Sequence, residues 1–349
     1  MFFALSEILD FGARPLLDFR PRALVLPRAF YVLLLSLLGI LPEALSQAPP
    51  PPSALPSPIQ VRIREVSIGV TVTATGGHAV RGLHQSDFRV FDDGGLQPIT
   101  SFLSDDDPGL VVLLLETGPG AFFNQANELH AAGIFLDGMP TNYRIAVVSY
   151  SRAPNLVLDF TQDKATARQA LRAMNFKVGF SELNLVASVC ATLDWLSSLP
   201  GKKTIILLSS GIDTTPHLNW PAAQQRIHAS DVRILAVSVS EEIRKPAKGK
   251  VLSQEQPENL NDSKANFADG DRGLRQLVES TGGRVYFPKK DKDFDHAFSA
   301  IARSVGHEYR LSIAPTPPHG QLHALSVKVD RPFSSVDFRR GYFVPSAPR

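Results

Sequence analysis

The chain has 349 residues, of which 44% are hydrophobic and 20% are charged, and its formal net charge is +2. This is the composition of an ordinary globular protein, long enough to build one large core or two to three smaller ones. Lysine and arginine are scattered along the chain and nearly balanced by acidic residues, so no basic stripe marks a nucleic-acid surface. We therefore expect no nucleic-acid partner.

The first 46 residues are typical of an export signal. Arginines precede an apolar run at residues 29–41, which is shorter than the about 20 apolar residues needed to span a bilayer. Small residues at Ala44 and Ser46 fit a cleavage site before Gln47. We predict export to the periplasm or the cell exterior. If the signal is not cleaved, it would stay as an anchor and provide the one membrane contact that we expect.

A proline-rich spacer at residues 47–58 precedes the folded part, because its sequence favours an extended polyproline conformation. Two β units then lie at opposite ends of the folded chain, at residues 59–105 and 306–349. Alternating apolar and polar residues predict strands from about residue 59 to 73 and at 87–91, 97–102, 308–313, 324–329 and 336–344. Each unit is too small to be stable alone, so we expect them to pack together as a β-sandwich.

The segment between them, residues 106–305, predicts an α/β domain. Strands are predicted at 110–116, 143–150, 203–209, 232–239 and 284–287, with an edge hairpin strand at 155–160 and a first helix from about 124 to 137. The six aliphatic residues 110–115 need cover on both faces, as in the centre of a doubly wound, mostly parallel sheet. The polar stretch 241–269 has little pattern and is predicted as a long loop.

Candidate site residues follow the predicted parallel strands, where open α/β sheets bind their ligands. We call this edge of the sheet the rim. Its candidate residues are Glu116, Thr117, Gly118, Gly120, Ser181, Ser209, Ser210 and Asp213. The Gly-Pro-Gly stretch at residues 118–120 is interpreted first as a turn selected for backbone shape. Alternatively, its amides at a helix N-terminus receive an anionic group of a partner.

The order of these motifs resembles a von Willebrand factor A domain: a buried strand, an acidic glycine-rich turn, a helix, a serine loop at 179–183, and Ser-Ser-Gly-Ile-Asp at 209–213. With the flanking segments 80–102, 281–288 and 339–344, the sequence is more specifically similar to A-domain-related secreted proteins of acidobacteria. The resemblance extends over residues 59–344. It implies an A-domain-like sheet inserted between the two β units, and a function in protein binding.

Metal-binding A domains carry Asp-x-Ser-x-Ser in the first loop, a threonine in the second and an aspartate in the third, which give a small cation its oxygen ligands. In this chain those positions hold Glu116, Gly118, Gly120, Ser181 and Ser210. The resemblance thus implies a degenerate metal-ion-dependent adhesion site, and we expect no bound cofactor. If Mg²⁺ binds, its ligands would come from Glu116, Ser181 and Asp213.

The sequence lacks the common motifs for nucleotide binding, serine hydrolysis and zinc-dependent hydrolysis. It contains no Gly-x-x-x-x-Gly-Lys phosphate loop, no Gly-x-Ser-x-Gly elbow and no His-Glu-x-x-His pair. Among nine dispersed histidines, His319 and His323 flank a short turn and are predicted to be exposed rather than metal ligands. Cys190 is the only cysteine, so no intramolecular disulfide can form, and its apolar neighbours predict a small buried side chain.

We therefore predict a non-enzymatic adhesion or scaffolding module that binds a protein ligand through the rim. The alternative is an envelope serine hydrolase, in which Ser181 or Ser210 acts with Asp213 and His217. The sequence does not identify the ligand.

Overall fold

A computed structural model describes residues 65–174, 182–214, 220–241, 260–318 and 320–345. For residues 119–128 and 260–266 the description covers the backbone alone. The predicted export signal, the proline-rich spacer, Ser181, His217 and His319 lie outside the described residues. Within the described part of the chain, no helix is long and apolar enough to span a membrane.

The described residues form fourteen strands and six α-helices. The strands are β1 (Val66–Ala74), β2 (Phe88–Asp92), β3 (Gly95–Gln97), β4 (Ile99–Leu103), β5 (Gly109–Glu116), β6 (Arg144–Tyr150), β7 (Pro154–Thr161), β8 (Lys202–Ser209), β9 (Arg233–Ser238), β10 (Val285–Tyr286), β11 (Glu308–Ile313), β12 (Leu322–Val329), β13 (Ser334–Phe338) and β14 (Gly341–Phe343). The helices are α1 (Pro119–Gly138), α2 (Lys164–Arg172), α3 (Leu185–Ser197), α4 (Trp220–Ala229), α5 (Leu260–Glu279) and α6 (Asp291–Gly306).

A six-stranded sheet with the order β10-β9-β8-β5-β6-β7 forms the middle of the chain, and only its edge strand β7 is antiparallel. The aliphatic run of β5 lies at its centre. Val111, Leu113 and Leu115 pack against α1, α2 and α6, whereas Val112 and Leu114 face α3, α4 and α5. Helices on both faces bury the whole run, which is why it carries no polar residue. The prediction of a mostly parallel α/β sheet is confirmed.

Two helix predictions were wrong. Helix α1 begins at Pro119 rather than near residue 124, with Gly118 as its N-cap residue. Proline is well suited to the first position of a helix, because the amide hydrogen it lacks would have no partner there. Helix α5 begins at Leu260, inside the predicted loop 241–269, of which residues 242–259 lie outside the described chain. Its sequence is polar, and its apolar contacts come late, at Leu274, Leu277 and Val278.

Two four-stranded antiparallel sheets flank the parallel one, in the orders β13-β1-β11-β4 and β14-β12-β2-β3. Both combine strands from the beginning and the end of the folded chain. Strand β1 pairs with β11 and β13, and β2 pairs with β12. The two terminal segments are therefore joined by backbone hydrogen bonds, in addition to side-chain packing.

Two predicted strands each proved to be two strands in different sheets. The predicted strand 97–102 is divided at Pro98, so that β3 pairs with β2 while β4 pairs with β11. Proline has no amide hydrogen for the ladder, and the chain changes sheets there. The predicted strand 336–344 is divided in the same way after Phe338, with β13 pairing with β1 and β14 with β12.

Side chains from both antiparallel sheets contribute to one hydrophobic cluster. Val70 and Leu311 enter it from the first sheet, and Val90 and Val327 from the second. Aromatic rings join the two sets: the ring centroids of Phe88 and Tyr309 are 5.3 Å apart. Each sheet thereby covers the apolar face of the other.

A group of buried charges connects the parallel sheet to the antiparallel ones. The carboxylate of Glu308, 1% exposed, accepts hydrogen bonds from Arg310 at 2.7 Å and from Arg233 at 3.3 Å. Arg233 is the first residue of β9 and also donates to Thr71 of β1 at 2.9 Å. A Cβ at position 69 would lie 2.6 Å from Oε1 of Glu308, so Gly69 leaves the space this carboxylate occupies.

Buried lysine and arginine side chains reinforce the same junction through backbone carbonyls. Lys202 Nζ donates to the carbonyl oxygens of Ser104 and Asp105 at 2.9 and 3.2 Å. Arg339, which stands where β13 and β14 separate, donates to the carbonyls of His228 and Ser230. Burial lowers the pKa of Lys202, and it lowers that of Arg339 to about 10. The Glu308 carboxylate itself pairs with two of the buried cations at this junction, Arg233 and Arg310.

We expect Glu308→Ala to lower the free energy of unfolding by about 3–5 kcal/mol, because it leaves buried arginines without their carboxylate. Urea denaturation followed by far-UV circular dichroism measures this. The control Glu279→Ala removes an exposed carboxylate and should change stability by about 0.5 kcal/mol or less. Equal effects of the two substitutions would contradict this role of Glu308.

Candidate functional site

The rim brings together the ends of β5, β6 and β8. Glu116 is the last residue of β5, and it lies opposite Tyr150, the last residue of β6. Ser209 ends β8, and Ser210 follows it into the next loop. All four side chains are buried, with Glu116 1% exposed and Ser209 fully enclosed. They form a polar cluster beneath the rim surface.

One oxygen of Glu116 accounts for the hydrogen bonds of this cluster. Oε2 accepts from the amide and the hydroxyl of Ser210 at 2.8 and 2.9 Å, from the hydroxyl of Tyr150 at 3.1 Å and from that of Ser209 at 3.3 Å. The tyrosine hydroxyl also lies 2.8 Å from Ser209 Oγ. Glu116 therefore ties the loop after β5 to the loop after β8 through the interior.

The protonation of this acid follows from its burial. Loss of water contact raises the pKa of Glu116, and the hydrogen bonds from Ser210, Tyr150 and Ser209 oppose that rise. Burial, together with the neighbouring Glu116, also raises the pKa of Tyr150 well above its usual value. The cluster thus disfavours additional negative charge.

The second oxygen of Glu116 has a different environment. Oε1 is buried and accepts no hydrogen bond from any described residue of the rim. It faces Gly118, where a Cβ would lie 3.6 Å from Oε1 and 2.6 Å from Cδ2 of Leu183. Gly118 therefore allows Leu183 to close over the acid, a role in packing rather than in backbone conformation.

The remaining predicted site residues that the structure describes lie outside the hydrogen-bonded cluster around Glu116. Thr117 is buried, and its amide and hydroxyl both donate to the carbonyl of Tyr150, at 2.8 and 3.1 Å. Gly120 lies in the first turn of α1. Asp213 accepts a hydrogen bond from the amide of Val186, in the first turn of α3, at 3.0 Å. Ser181 lies outside the described residues.

A metal ion at this rim would need several converging oxygens. In the described residues, the only carboxylate oxygen of Glu116 without a bond is Oε1, and the hydroxyl of Ser210 is bonded to Oε2. Gly118 and Gly120 have no side-chain oxygen, and no group of three histidine, cysteine, aspartate or glutamate side chains converges at the described part of the rim. These residues do not fit the octahedral coordination of Mg²⁺.

Sequence reasoning missed Tyr150 as a member of the cluster. Its position at the end of a predicted strand was visible, but the hydrophobic pattern alone assigned it to the core. The prediction that His323 is exposed was wrong, because this side chain is fully buried. Cys190 is buried on α3, and burial raises the pKa of its thiol, which disfavours the reactive thiolate.

Comparison with known proteins gives no match among protein-family models and none among curated proteins. Solved structures do match, and two of them are described as a von Willebrand factor type A protein and a von Willebrand factor domain. A von Willebrand factor type A protein from Catenulispora acidiphila is 11% identical, with 82% of this chain and 76% of that chain covered and a TM-score of 0.42.

Two other similar structures come from different bacteria. An aerotolerance-related membrane protein from Bacteroides fragilis is 11% identical, with 57% of this chain and 98% of that chain covered and a TM-score of 0.43. The von Willebrand factor domain of the type V pili tip protein Mfa5 from Porphyromonas gingivalis is 24% identical, with 30% and 38% covered and a TM-score of 0.27. All three scores are below 0.5, so the description of the fold relies on the strand order of this chain.

We expect Glu116→Gln to become more stable relative to the wild type as pH rises. Because folding raises the pKa of Glu116, the protonated acid stabilises the folded state. This contribution is fully present below the unfolded pKa of 4.5, and it is lost as pH rises through the folded pKa. Glutamine does not ionise, so it avoids this loss. Urea unfolding of both proteins between pH 4 and pH 8 measures the difference. The exposed control Glu279→Gln should show no such trend. A stability difference between Glu116→Gln and the wild type that does not change with pH would refute the raised pKa of Glu116.

Proposed function

We propose that this chain is an exported, non-enzymatic module that binds another protein through its rim, without a bound metal ion. The observation that carries the proposal is the position of Glu116. At the position where the A-domain resemblance expects a metal ligand, the carboxylate is held by Ser210 from the third loop. Internal hydrogen bonds thus join the first and third loops, which a bound metal ion joins in metal-binding A domains.

Loop-to-loop hydrogen bonds at the surface support a preorganised rim. Thr214 exchanges hydrogen bonds with the backbone of Leu183 at 2.8 and 3.2 Å. The amide of Asn184 donates to the carbonyl of Ser151 at 2.8 Å. A surface fixed in this way loses little conformational entropy when a partner binds.

The accessible part of the rim offers mixed chemistry to a protein. Arg152 and Glu182 form an exposed ion pair at 2.7 Å, and the partly exposed Ile212 adds apolar surface. Helix α1 begins at Pro119 and points its positive dipole end to the same edge, which favours an acidic group on the partner. Adhesion and scaffolding both fit this surface.

The wider organisation belongs to the same proposal. We assign residues 1–46 to the export signal, 47–58 to the spacer, 106–305 to the A-like domain, and 59–105 with 306–349 to a β-sandwich. The shared hydrophobic cluster of the two antiparallel sheets supports the sandwich. The location is periplasmic or extracellular.

We expect the purified chain to retain a protein partner from envelope extract equally well with and without EDTA, because no metal completes the site. Arg152→Glu, which replaces the rim cation by a charge that repels an acidic group on the partner, should reduce the retained partner at least tenfold. Arg89→Glu is the matched control, because Arg89 of β2 forms an exposed ion pair with Asp330 in the antiparallel sheets, away from the rim. Quantitative mass spectrometry of the retained proteins gives the comparison. Loss of the partner in EDTA, or equal retention by both variants, would contradict rim binding without metal.

A serine hydrolase is the alternative, and the described serines argue against it. Ser209 and Ser210 are buried, and the hydroxyl of Ser210 is bonded to Glu116. A nucleophile needs an accessible oxygen and a neighbouring base. Ser181 and His217 lie outside the described residues.

We expect a fluorescent fluorophosphonate to leave the folded chain unlabelled, since a serine without an activating base does not attack it. Gel fluorescence after incubation, with a known serine hydrolase as positive control, measures the labelling. Labelling that disappears in Ser181→Ala but persists in Ser210→Ala would favour the hydrolase.

A further inference from the structure

A second polar cluster lies in the antiparallel sheets, away from the rim. Asp92 ends β2, Asp93 begins the turn into β3, and His323 lies on β12, the strand that pairs with β2. One ligand atom from each residue falls within 4.8 Å of the others. The resemblance to A domains gives this cluster no role.

His323 has a fixed orientation. Its side chain is fully buried, and its ring is stacked on Tyr342 with centroids 4.9 Å apart. Nε2 lies 3.0 Å from the carbonyl oxygen of Pro318, which can only accept, so Nε2 carries the hydrogen. Nδ1 points the other way, 2.9 Å from Oδ2 of Asp93 and 3.7 Å from Oδ1 of Asp92.

The two aspartates are held in a similar way, each by one oxygen. Oδ2 of the buried Asp92 accepts hydrogen bonds from the hydroxyls of Tyr342, at 2.7 Å, and Thr316. Its Oδ1 is buried, accepts no hydrogen bond from the residues that the structure describes, and faces His323. Oδ1 of Asp93 accepts from the amide of Ala324 at 2.8 Å, which leaves Oδ2 toward the imidazole.

We propose that Asp92 Oδ1, Asp93 Oδ2 and His323 Nδ1 bind one divalent transition-metal ion of the Zn²⁺ class. Each ligand residue uses its other polar atom to bond with the surrounding protein, which is the arrangement that orients metal ligands. The separations of 2.9 and 3.7 Å from Nδ1 are both below about 4.2 Å, twice a typical bond of about 2.1 Å to Zn²⁺. One ion can therefore contact Nδ1 together with either carboxylate oxygen. The two carboxylate oxygens lie within 4.8 Å of each other, so a small rotation of the half-exposed Asp93 side chain lets the ion contact all three atoms.

Charge supports a cation here. Two carboxylates meet one imidazole, and in the described part of the chain neither Asp92 nor Asp93 forms an ion pair with lysine or arginine. With an imidazolium the cluster keeps a net charge of −1, since two negative charges meet one positive charge. A Zn²⁺ ion with neutral imidazole balances both carboxylates and gives Asp92 Oδ1 the partner that a buried oxygen needs.

The ligand types and their exposure define the site further. An imidazole nitrogen selects a transition metal over Mg²⁺ or Ca²⁺, which prefer oxygen ligands alone. The side chain of Asp93 is 49% exposed, so the ion has access from solvent and water can complete its coordination. Bound there, the metal would join the β2–β3 turn to β12.

The test uses the tag-free full chain, freed of metal by chelation and titrated with Zn²⁺ in a calorimeter. We expect one saturable site per chain and a rise in melting temperature. Asp93→Asn should weaken Zn²⁺ binding at least tenfold and leave the fold intact, because asparagine still accepts from Ala324 and tolerates the φ of 46°. His323→Gln should abolish binding. The exposed control His296→Gln should bind Zn²⁺ like the wild type.

Three outcomes would overturn the proposal. The first is a folded wild type without saturable Zn²⁺ binding, which would leave the cluster as an ion pair only. The second is binding that survives both Asp93→Asn and His323→Gln, which would place the ion elsewhere. The third is tighter binding of Ca²⁺ or Mg²⁺ than of Zn²⁺. Anomalous scattering at the zinc edge from crystals of the Zn²⁺-loaded chain locates the ion directly.

Discussion

The architecture depends on the burial of one carboxylate, Glu308, among cations at the amino-terminal edge of the parallel sheet. It sits at the start of β11, where the chain passes from the α/β layer into the antiparallel sheets, and it bonds to Arg233 of β9 and Arg310 of β11. Charges taken out of water must be paired, so the two layers have to meet in one arrangement. The buried network thereby fixes how the parallel sheet packs against the antiparallel sheets.

The opposite edge of the same sheet uses a buried acid in a different way. Glu116 has hydroxyls and an amide around it rather than cations, and its pKa is raised where a salt bridge would lower it. The Glu308 cluster joins two layers of the fold, whereas the Glu116 cluster joins two loops of one layer. Only the Glu116 cluster lies beneath the proposed binding surface.

The parts of the fold that local pattern decides were predictable from the sequence. The apolar run of β5 requires cover on both faces and so predicts the parallel sheet. Strand exchange at Pro98 and after Phe338 was missed, because pairing partners lie more than two hundred residues away and leave no local signal. At the rim, the predicted strand ends placed Glu116 and Ser210 at the same end of the sheet, but they did not predict the buried hydrogen bonds between Glu116, Ser210 and Tyr150. His323 was misjudged because two side chains that enclose its ring, Asp93 and Tyr342, are distant from it in sequence.

The place of β1 between two partners has a mechanical consequence. β1 is the first strand of the described residues, and it is hydrogen-bonded along one side to β11 and along the other to β13. Tension applied along the strand from its start would load both ladders in shear, so that many hydrogen bonds resist together instead of opening one after another. Because β11 carries Glu308, that force would pass directly into the ion cluster and the parallel sheet. A tether attached before β1 would therefore pull on a strand held by both of its neighbours.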